Sequence, residues 1–96
     1  MTPPFSVRTI PAFERGFAKL ASKHEDIRGL LVEAKGILET DPCNRTRAHN
    51  IKKLTNVAQG DGQYPLRLAR WRFRYDIYEN VVLLTDCSLR REDTYR

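Results

Sequence analysis

The sequence predicts an α+β domain in which a mostly antiparallel sheet carries an N-terminal helical hairpin on one face. Three observations predict it: a short strand pattern at the N-terminus, two consecutive amphipathic helix patterns after it, and three strand patterns towards the C-terminus. The expected element order is therefore β-α-α-β-β-β. A chain of 96 residues is expected to form a single domain, residues 1–96.

The first strand and first helix follow from the pattern in residues 5–23. Alternation in FSVRTI (5–10) predicts a short strand, and Pro11 suits the first turn of a helix. Phe13, Phe17 and Leu20 recur at the i, i+4, i+7 spacing of one helical face. This helix is expected to end near Lys23.

The second helix has the strongest periodicity in the chain. Ser22 and Glu25 have the spacing of a capping box, which predicts the start of this helix. Asp41-Pro42 is expected to stop it. Its apolar positions fall on one face, and they are Ile27, Leu30, Leu31, Ala34, Ile37 and Leu38.

The second half of the chain predicts a basic turn, a loop and three strands. Residues 43–50 are polar and irregular, 51–54 (IKKL) suit a short extended segment, and the glycines in 56–63 indicate a loop. Alternation then predicts strands over 64–68 and 71–77, and the unbroken run 81–84 predicts a central strand covered on both faces. Glu79-Asn80 suits a two-residue hairpin, with Asn80 tolerating a positive φ.

Composition bounds the function. The net charge of +5 lies entirely in the second half, because residues 1–44 hold six Lys and Arg against six Asp and Glu, whereas 45–96 hold eleven against six. This asymmetry indicates a polyanion or an acidic partner. No membrane span or secretory signal is expected, so we expect a cytoplasmic protein. Cys43 and Cys87 have no metal-ligand spacing, which favours two reduced thiols; a disulfide between them is the alternative.

Arginines are concentrated in the predicted strands. If Trp71, Phe73, Tyr75 and Ile77 pack under the helices, the residues between them share the other face of the sheet. That face would carry a phosphate-binding cluster, since guanidinium groups match phosphate oxygens; a solvated arginine face is the alternative. The residues expected on it are Arg67, Arg70, Arg72, Arg74, Asp76 and Tyr78.

The ordered set of these motifs resembles the RelE/ParE superfamily of bacterial toxins. Members show a basic K-L segment, a glycine loop, Y-x-L-R-x-x-x-x-R-x-x-Y, a valine-rich strand and a closing R-x-x-x-Y. Pro65 departs from the family, where a basic residue is frequent, and its missing N–H indicates an edge strand or a strand start. The matching residues are Lys53, Leu54, Tyr64, Leu66, Arg67, Arg72, Tyr75, the run Val81 to Leu84, Arg91 and Tyr95.

The resemblance implies a RelE-like fold and, for the RelE branch, a ribosome-dependent mRNA endonuclease without a metal or other cofactor. In that reaction the ribose 2′-hydroxyl attacks its own 3′-phosphate. Lys53 is the expected proton acceptor, with Lys52 as the alternative, because arginine does not deprotonate. Arg72 and Arg91 would hold the phosphate, and Tyr95 would stack on a base or share proton transfer. The expected RNA contacts are Lys52, Arg67, Arg70, Arg74 and Arg90.

The resemblance also implies partners. A toxin of this kind is expected to bind a cognate antitoxin, the ribosome and mRNA, and to reach operator DNA only through the antitoxin. The ParE branch implies inhibition of DNA gyrase instead. A non-catalytic RNA-binding domain is a third reading, because it also fits the charge asymmetry.

Overall fold

The computed structural model describes residues 4–89, and the predicted element order is confirmed. The elements are β1 (Ser6–Thr9), α1 (Pro11–Lys23), α2 (Asp26–Thr40), β2 (Tyr64–Leu68), β3 (Trp71–Tyr78) and β4 (Val81–Leu89). The described helices include none long and apolar enough to cross a membrane.

The four strands form one sheet in the order β1-β4-β3-β2. β2 pairs with β3 and β3 with β4 in antiparallel fashion, whereas β1 pairs with β4 in parallel. The sheet is therefore mixed but mostly antiparallel, as expected. The parallel pair is possible because the helical hairpin separates β1 from the later strands and gives the chain room to cross over.

The hydrophobic core lies between the helices and one face of the sheet. Trp71, Phe73 and Tyr75 of β3 are fully buried there, as are Ile27 and Leu38 of α2. Fully burying a large apolar side chain contributes about 1.5–3 kcal/mol, so these two stripes fix which face of each element turns inward. Burial also raises the pKa of Tyr75, whose hydroxyl donates to the carbonyl of Pro42 at 2.6 Å.

The predicted capping box is wrong. α1 continues through Lys23, so Ser22 lies in its last turn and donates its hydroxyl to the carbonyl of Lys19 at 2.7 Å. Glu25 is the N-cap of α2 and makes no side-chain capping bond. A hydroxyl already satisfied inside one helix cannot cap the next.

The predicted stop of α2 at Asp41-Pro42 is confirmed. The Asp41 carboxylate accepts the N–H of Arg45 at 2.7 Å and the hydroxyl of Thr46 at 2.6 Å, so it organises the turn that follows. The hydrogen bond from Thr46 holds the pKa of Asp41 below 3.8 despite burial, and the N–H of Arg45 acts in the same direction.

The β3–β4 hairpin has the predicted two-residue turn, but the positive φ, +54°, is at Glu79 and not at Asn80. β4 is central, as predicted from its apolar run, although the prediction that both faces are covered is wrong. Val82 and Leu84 are buried under the helices, whereas Val81 and Leu83 on the other face are only half-buried.

Candidate functional site

The face of the sheet turned away from the helices, called here the open face, carries the arginines of β2 and β3. Arg72 and Arg74 alternate with the buried aromatic residues of β3. Arg67 of β2 lies directly opposite Arg72, and Pro65 lies opposite Arg74. Directly opposed side chains have Cβ atoms about 4.5–5.5 Å apart, so Arg67 and Arg72 extend from neighbouring points of the same face.

The segment 50–54 runs along the outer edge of β2, which confirms the extended conformation predicted for 51–54 and adds Asn50 to it. The N–H of Arg67 donates to the carbonyl of Asn50 at 3.0 Å, and the N–H of Leu54 donates to the carbonyl of Gln63 at 2.8 Å. Ile51 forms an antiparallel bridge with Leu66 between them. All three contacts belong to one register.

This register separates the two lysines. Lys52 falls opposite Pro65 and therefore on the open face with Arg67, whereas Lys53 falls opposite Tyr64. The ammonium group of Lys53 accordingly lies 5.6 Å from the centroid of the Tyr64 ring. Only Lys52 points with the arginine pair.

Pro65 has no N–H, and none is needed at this position for the hydrogen bonds between β2 and β3. β2 is the last strand of the four-stranded sheet, which confirms the edge position predicted from this proline. Since the N–H of Arg67 and the carbonyl of Gln63 turn towards segment 50–54, the Pro65 nitrogen turns the same way and the pairing with β3 is left intact.

Two cavities adjoin on the open face and share a wall formed by Leu54, Pro65 and Arg67. The smaller, of about 100 Å³, is completed by Arg72 and Arg74. The larger, of about 420 Å³, is completed by Asn50, Lys52, Lys53 and Thr55. Together they bring cations from segment 50–55, β2 and β3 into one surface.

The glycine loop 56–63 folds over one end of the open face and is held there by two charged residues. Asp76, fully buried, accepts the N–H groups of Gly62 and Gln63, both at 2.9 Å. The Arg74 guanidinium donates to the carbonyls of Gly62 at 2.8 Å and Asp61 at 3.1 Å. Arg74 therefore anchors the loop as well as lining the smaller cavity.

A search of solved structures finds that this chain is similar to a chain of the crystal structure of the archaeal RelE–RelB complex from Pyrococcus horikoshii. The identity is 18%, the TM-score is 0.69, and the match covers 93% of this chain and 98% of the other. The chain has the RelE-like fold. At this identity the likeness establishes the fold alone. No protein-family model and no curated protein sequence gives a significant match.

Within this RelE-like fold, the structure brings together Lys52, Arg67, Arg72 and Arg74 of the predicted set on one face, with Lys53 at the edge of the same cavity. The assignments of Arg90, Arg91 and Tyr95 fall outside the described residues 4–89.

The prediction that Arg70 lies on the open face is wrong. β3 begins at Trp71, and Arg70 lies in the preceding turn, where Ala69 has a φ of +53°. Its guanidinium donates to the carboxylate of Asp26 at the start of α2, at 3.2 Å and 3.3 Å, and stacks on the Trp71 ring. The turn breaks the alternation on which the prediction relied.

The sequence does not reveal the roles that Pro65 and Asp76 have at the site. Pro65 forms part of the wall between the cavities, whereas the sequence indicates only a departure from the family pattern and an edge or strand-start position. Asp76 was placed correctly on the open face, but its burial under the glycine loop was not foreseen. An acidic residue among the arginines on the outward face of a strand is the signal that could have indicated it. Within residues 4–89, no group of three or more His, Cys, Asp or Glu side chains is placed to hold a metal ion.

Proposed function

We infer that this protein is the toxin of a type II toxin–antitoxin system and that it inhibits translation by cleaving mRNA on the ribosome. One observation carries the proposal: on a RelE-like fold, Arg67 and Arg72 oppose each other on the open face where two cavities meet. Paired guanidinium groups are suited to gripping a phosphodiester. Phosphate contacts of this kind supply affinity for any RNA backbone.

The reaction proposed is attack of a ribose 2′-hydroxyl on the adjacent 3′-phosphate with expulsion of the 5′-oxygen. Arg67 and Arg72 would stabilise the charge that develops on the phosphorus oxygens. Arginine cannot accept the 2′-hydroxyl proton, so a lysine or a tyrosine is needed. Arg91 would add to the phosphate grip and Tyr95 would stack on a base or share the proton transfer, as the resemblance implies.

The register supports Lys52 over Lys53 as the proton acceptor. Lys52 shares the open face with Arg67, whereas the Lys53 ammonium lies over the Tyr64 ring. A proton acceptor must lie within hydrogen-bond reach of the group it deprotonates, so the lysine on the face of the phosphate grip is the better candidate. Arg74 would contribute charge while anchoring the glycine loop, and Arg90 would contact RNA, but Arg70 is committed to Asp26 and is not assigned to RNA.

A cognate antitoxin is the proposed protein partner. The similar chain comes from a complex of RelE with RelB, and the open face here is a basic surface that an acidic segment would neutralise. The ribosome and mRNA are the proposed targets, and the cytoplasm is therefore the proposed location. Contact with operator DNA would pass through the antitoxin alone.

The proposal is tested by inducing the protein in a bacterium and mapping the 5′ ends of cellular messages by primer extension. Cuts within translated messages are expected. Intact messages with double-strand DNA breaks would establish gyrase poisoning instead. Intact messages and DNA, with salt-sensitive RNA binding, would leave a non-catalytic binding domain.

Variants assign the chemistry. Arg72→Ala and Tyr95→Phe are each expected to abolish growth arrest while the far-UV circular dichroism and the urea midpoint stay near those of the wild type. Lys52→Ala is expected to lower the cleavage rate more than Lys53→Ala, a comparison that separates the two lysines. Arg28→Ala, at an exposed position of α2, is the matched control for loss of a cation. Growth arrest that persists in both the Arg72 and the Tyr95 variants would remove their catalytic assignment.

A further inference from the structure

The two adjoining cavities of the open face differ in size in a way that suits two parts of a nucleotide. The smaller cavity, about 100 Å³, lies well below the range of about 300–1,000 Å³ typical of small-molecule sites, so it suits a compact anion such as a phosphate group. The larger, about 420 Å³, lies within the range of about 300–1,000 Å³ typical of small-molecule sites.

The side chains that line the two cavities also suit a phosphate group in the smaller cavity and a base in the larger. Arginines complete the smaller cavity, and guanidinium groups recognise phosphate regardless of base. The larger cavity is also cationic, because Lys52, Lys53 and Arg67 line it. Its lining differs in including two uncharged polar residues, Asn50 and Thr55, whose side chains can both donate and accept a hydrogen bond. Hydrogen bonds of this kind can read the edges of unpaired bases.

The register places Asn50 beside the phosphate grip. Its backbone carbonyl accepts the N–H of Arg67, and Arg67 in turn lies opposite Arg72. Asn50, Arg67 and Arg72 therefore form one row across the open face. A base in the larger cavity would be attached, through its ribose, to a phosphate at Arg67 and Arg72.

The Asn50 amide is available for a ligand, in contrast to Asn44. The Asn44 side chain is bonded to the carbonyls of His49 and Ile51 and to the N–H of His49, so it holds the chain path. Asn50 is exposed, and within residues 4–89 its side-chain amide makes no hydrogen bond. The same residue type thus serves structure at position 44 and faces the cavity at position 50.

We propose that the larger cavity is a base-reading subsite for the nucleotide next to the bound phosphate, with Asn50 as its specificity-determining residue. The inference rests on the proposed function to the extent that the bound chain is RNA. An asparagine amide forms two hydrogen bonds with adenine, so adenine is the expected preferred base. Thr55 supplies a second, weaker contact.

The test is an NMR titration of the purified full-length protein with inorganic phosphate and with the 3′- and 5′-monophosphates of adenosine, guanosine, cytidine and uridine. Phosphate is expected to shift the amides of Arg67 and Arg72 alone. An adenosine monophosphate is expected to shift the same amides together with Thr55 and the side-chain amide of Asn50. The isomer that binds more tightly gives the polarity of the RNA.

Asn50→Ala is expected to weaken binding of the adenosine monophosphate about tenfold, which is the loss of one good pair of hydrogen bonds. Its affinity for inorganic phosphate should not change. Thr55→Val should weaken nucleotide binding less. Asn56→Ala, an exposed asparagine outside the cavity, is the matched control and should bind both ligands as the wild type does.

The outcomes separate this inference from the proposed function. Equal affinities for phosphate and all nucleotides, or shifts confined to Arg67 and Arg72, would overturn the base subsite and leave mRNA cleavage standing. Intact messages in cells with base-selective binding in the titration would remove mRNA cleavage and keep the subsite. Base-selective binding that Asn50→Ala does not change would overturn the role given to Asn50.

Discussion

Gly62 shows how closely the glycine loop packs on the open face. Its φ is +81°, and a Cβ at this position would lie 2.9 Å from Thr85 Oγ1 and 3.1 Å from the Cβ of Arg74. We expect Gly62→Ala to lower the free energy of unfolding by about 1–3 kcal/mol, because it adds backbone strain and a steric contact at once. Urea denaturation followed by circular dichroism measures this.

Gly60→Ala is the control for Gly62→Ala. Gly60 also has a positive φ, +107°, but an added Cβ there would meet only the Tyr78 hydroxyl at 3.8 Å. The Gly60 variant therefore reports the backbone strain without the steric contact. If Gly60→Ala lost as much stability as Gly62→Ala, the close packing of the loop on Arg74 and Thr85 would contribute nothing.

The two cysteines are both free, and they differ in accessibility. Cys43 is exposed after the end of α2, whereas Cys87 is buried under α1, and burial raises the pKa of its thiol to about 12. Since the thiolate is the reactive form, we expect an aromatic disulfide reagent at neutral pH to modify one thiol per native chain, and the second only after unfolding. Cys43→Ser should remove the fast phase. Two fast-reacting thiols in the native protein would contradict the burial of Cys87.

At the scale of elements, Asp26 ties the start of α2 to the β2–β3 turn. Its carboxylate accepts hydrogen bonds from Arg70 and, at 2.9 Å, from the Trp71 indole, and these bonds hold its pKa below 3.8. A pKa lowered by folding adds stability above the unfolded value of 3.8, and that stability is lost as the pH falls through the folded pKa. We therefore expect Asp26→Asn to flatten the acid side of the stability curve.

This prediction is measured by urea unfolding at a series of pH values between about 2 and 7, the range over which carboxylates titrate. Glu25→Gln is the control, because it removes a carboxylate on the same turn that has no side-chain hydrogen bond within residues 4–89. The slope that remains in Asp26→Asn is expected from Asp41, whose pKa is also lowered. An unchanged acid slope in Asp26→Asn would contradict a contribution from this tie.

The elements with strong periodicity could be predicted from sequence, and those set by distant contacts could not. The apolar stripe of α2 and the alternation of β3 fix which side of each element is buried, so Arg67 and Arg72 could be placed on one face. The capping box predicted for α2 is wrong because the spacing of Ser22 and Glu25 does not show where α1 ends. The glycine loop was placed correctly, but its position over the face depends on Asp76, 13 and 14 residues further along.

The choice between Lys52 and Lys53 illustrates the same limit within the site. Both lysines fit the IKKL pattern, and a shift of one residue exchanges the faces to which their side chains point. The register comes from backbone bonds between segment 50–54 and β2, which the sequence of neither segment specifies alone. Placing Arg67 and Arg72 on one face required only the alternation of side chains within each strand. Choosing between Lys52 and Lys53 also required the pairing between segment 50–54 and β2.

At the scale of the whole molecule, the fold assigns different tasks to its two layers. The helical layer and the inner face of the sheet bury the large side chains, and the open face collects part of the positive charge of the second half. Directly opposed like charges are unfavourable for folding. Placing Arg67 against Arg72 is therefore expected to cost some stability, and under the proposed function a bound phosphate group offsets that cost.

Because Arg67→Gln removes the repulsion between Arg67 and Arg72, we expect this variant to be more stable than the wild type at low ionic strength. The expected gain in the free energy of unfolding is about 0.2–1 kcal/mol, the usual size of a cross-strand charge pair. The gain should disappear in about 1 M salt, where the Debye length falls to about 3 Å from about 30 Å in 0.01 M salt. Urea unfolding at the two salt concentrations measures it, with Arg28→Gln on α2 as the control.

Inorganic phosphate should raise the melting temperature of the wild type more than that of the variant, because the same repulsion is what the anion relieves. A variant that is less stable than the wild type in low salt would show that Arg67 serves the fold and not a ligand.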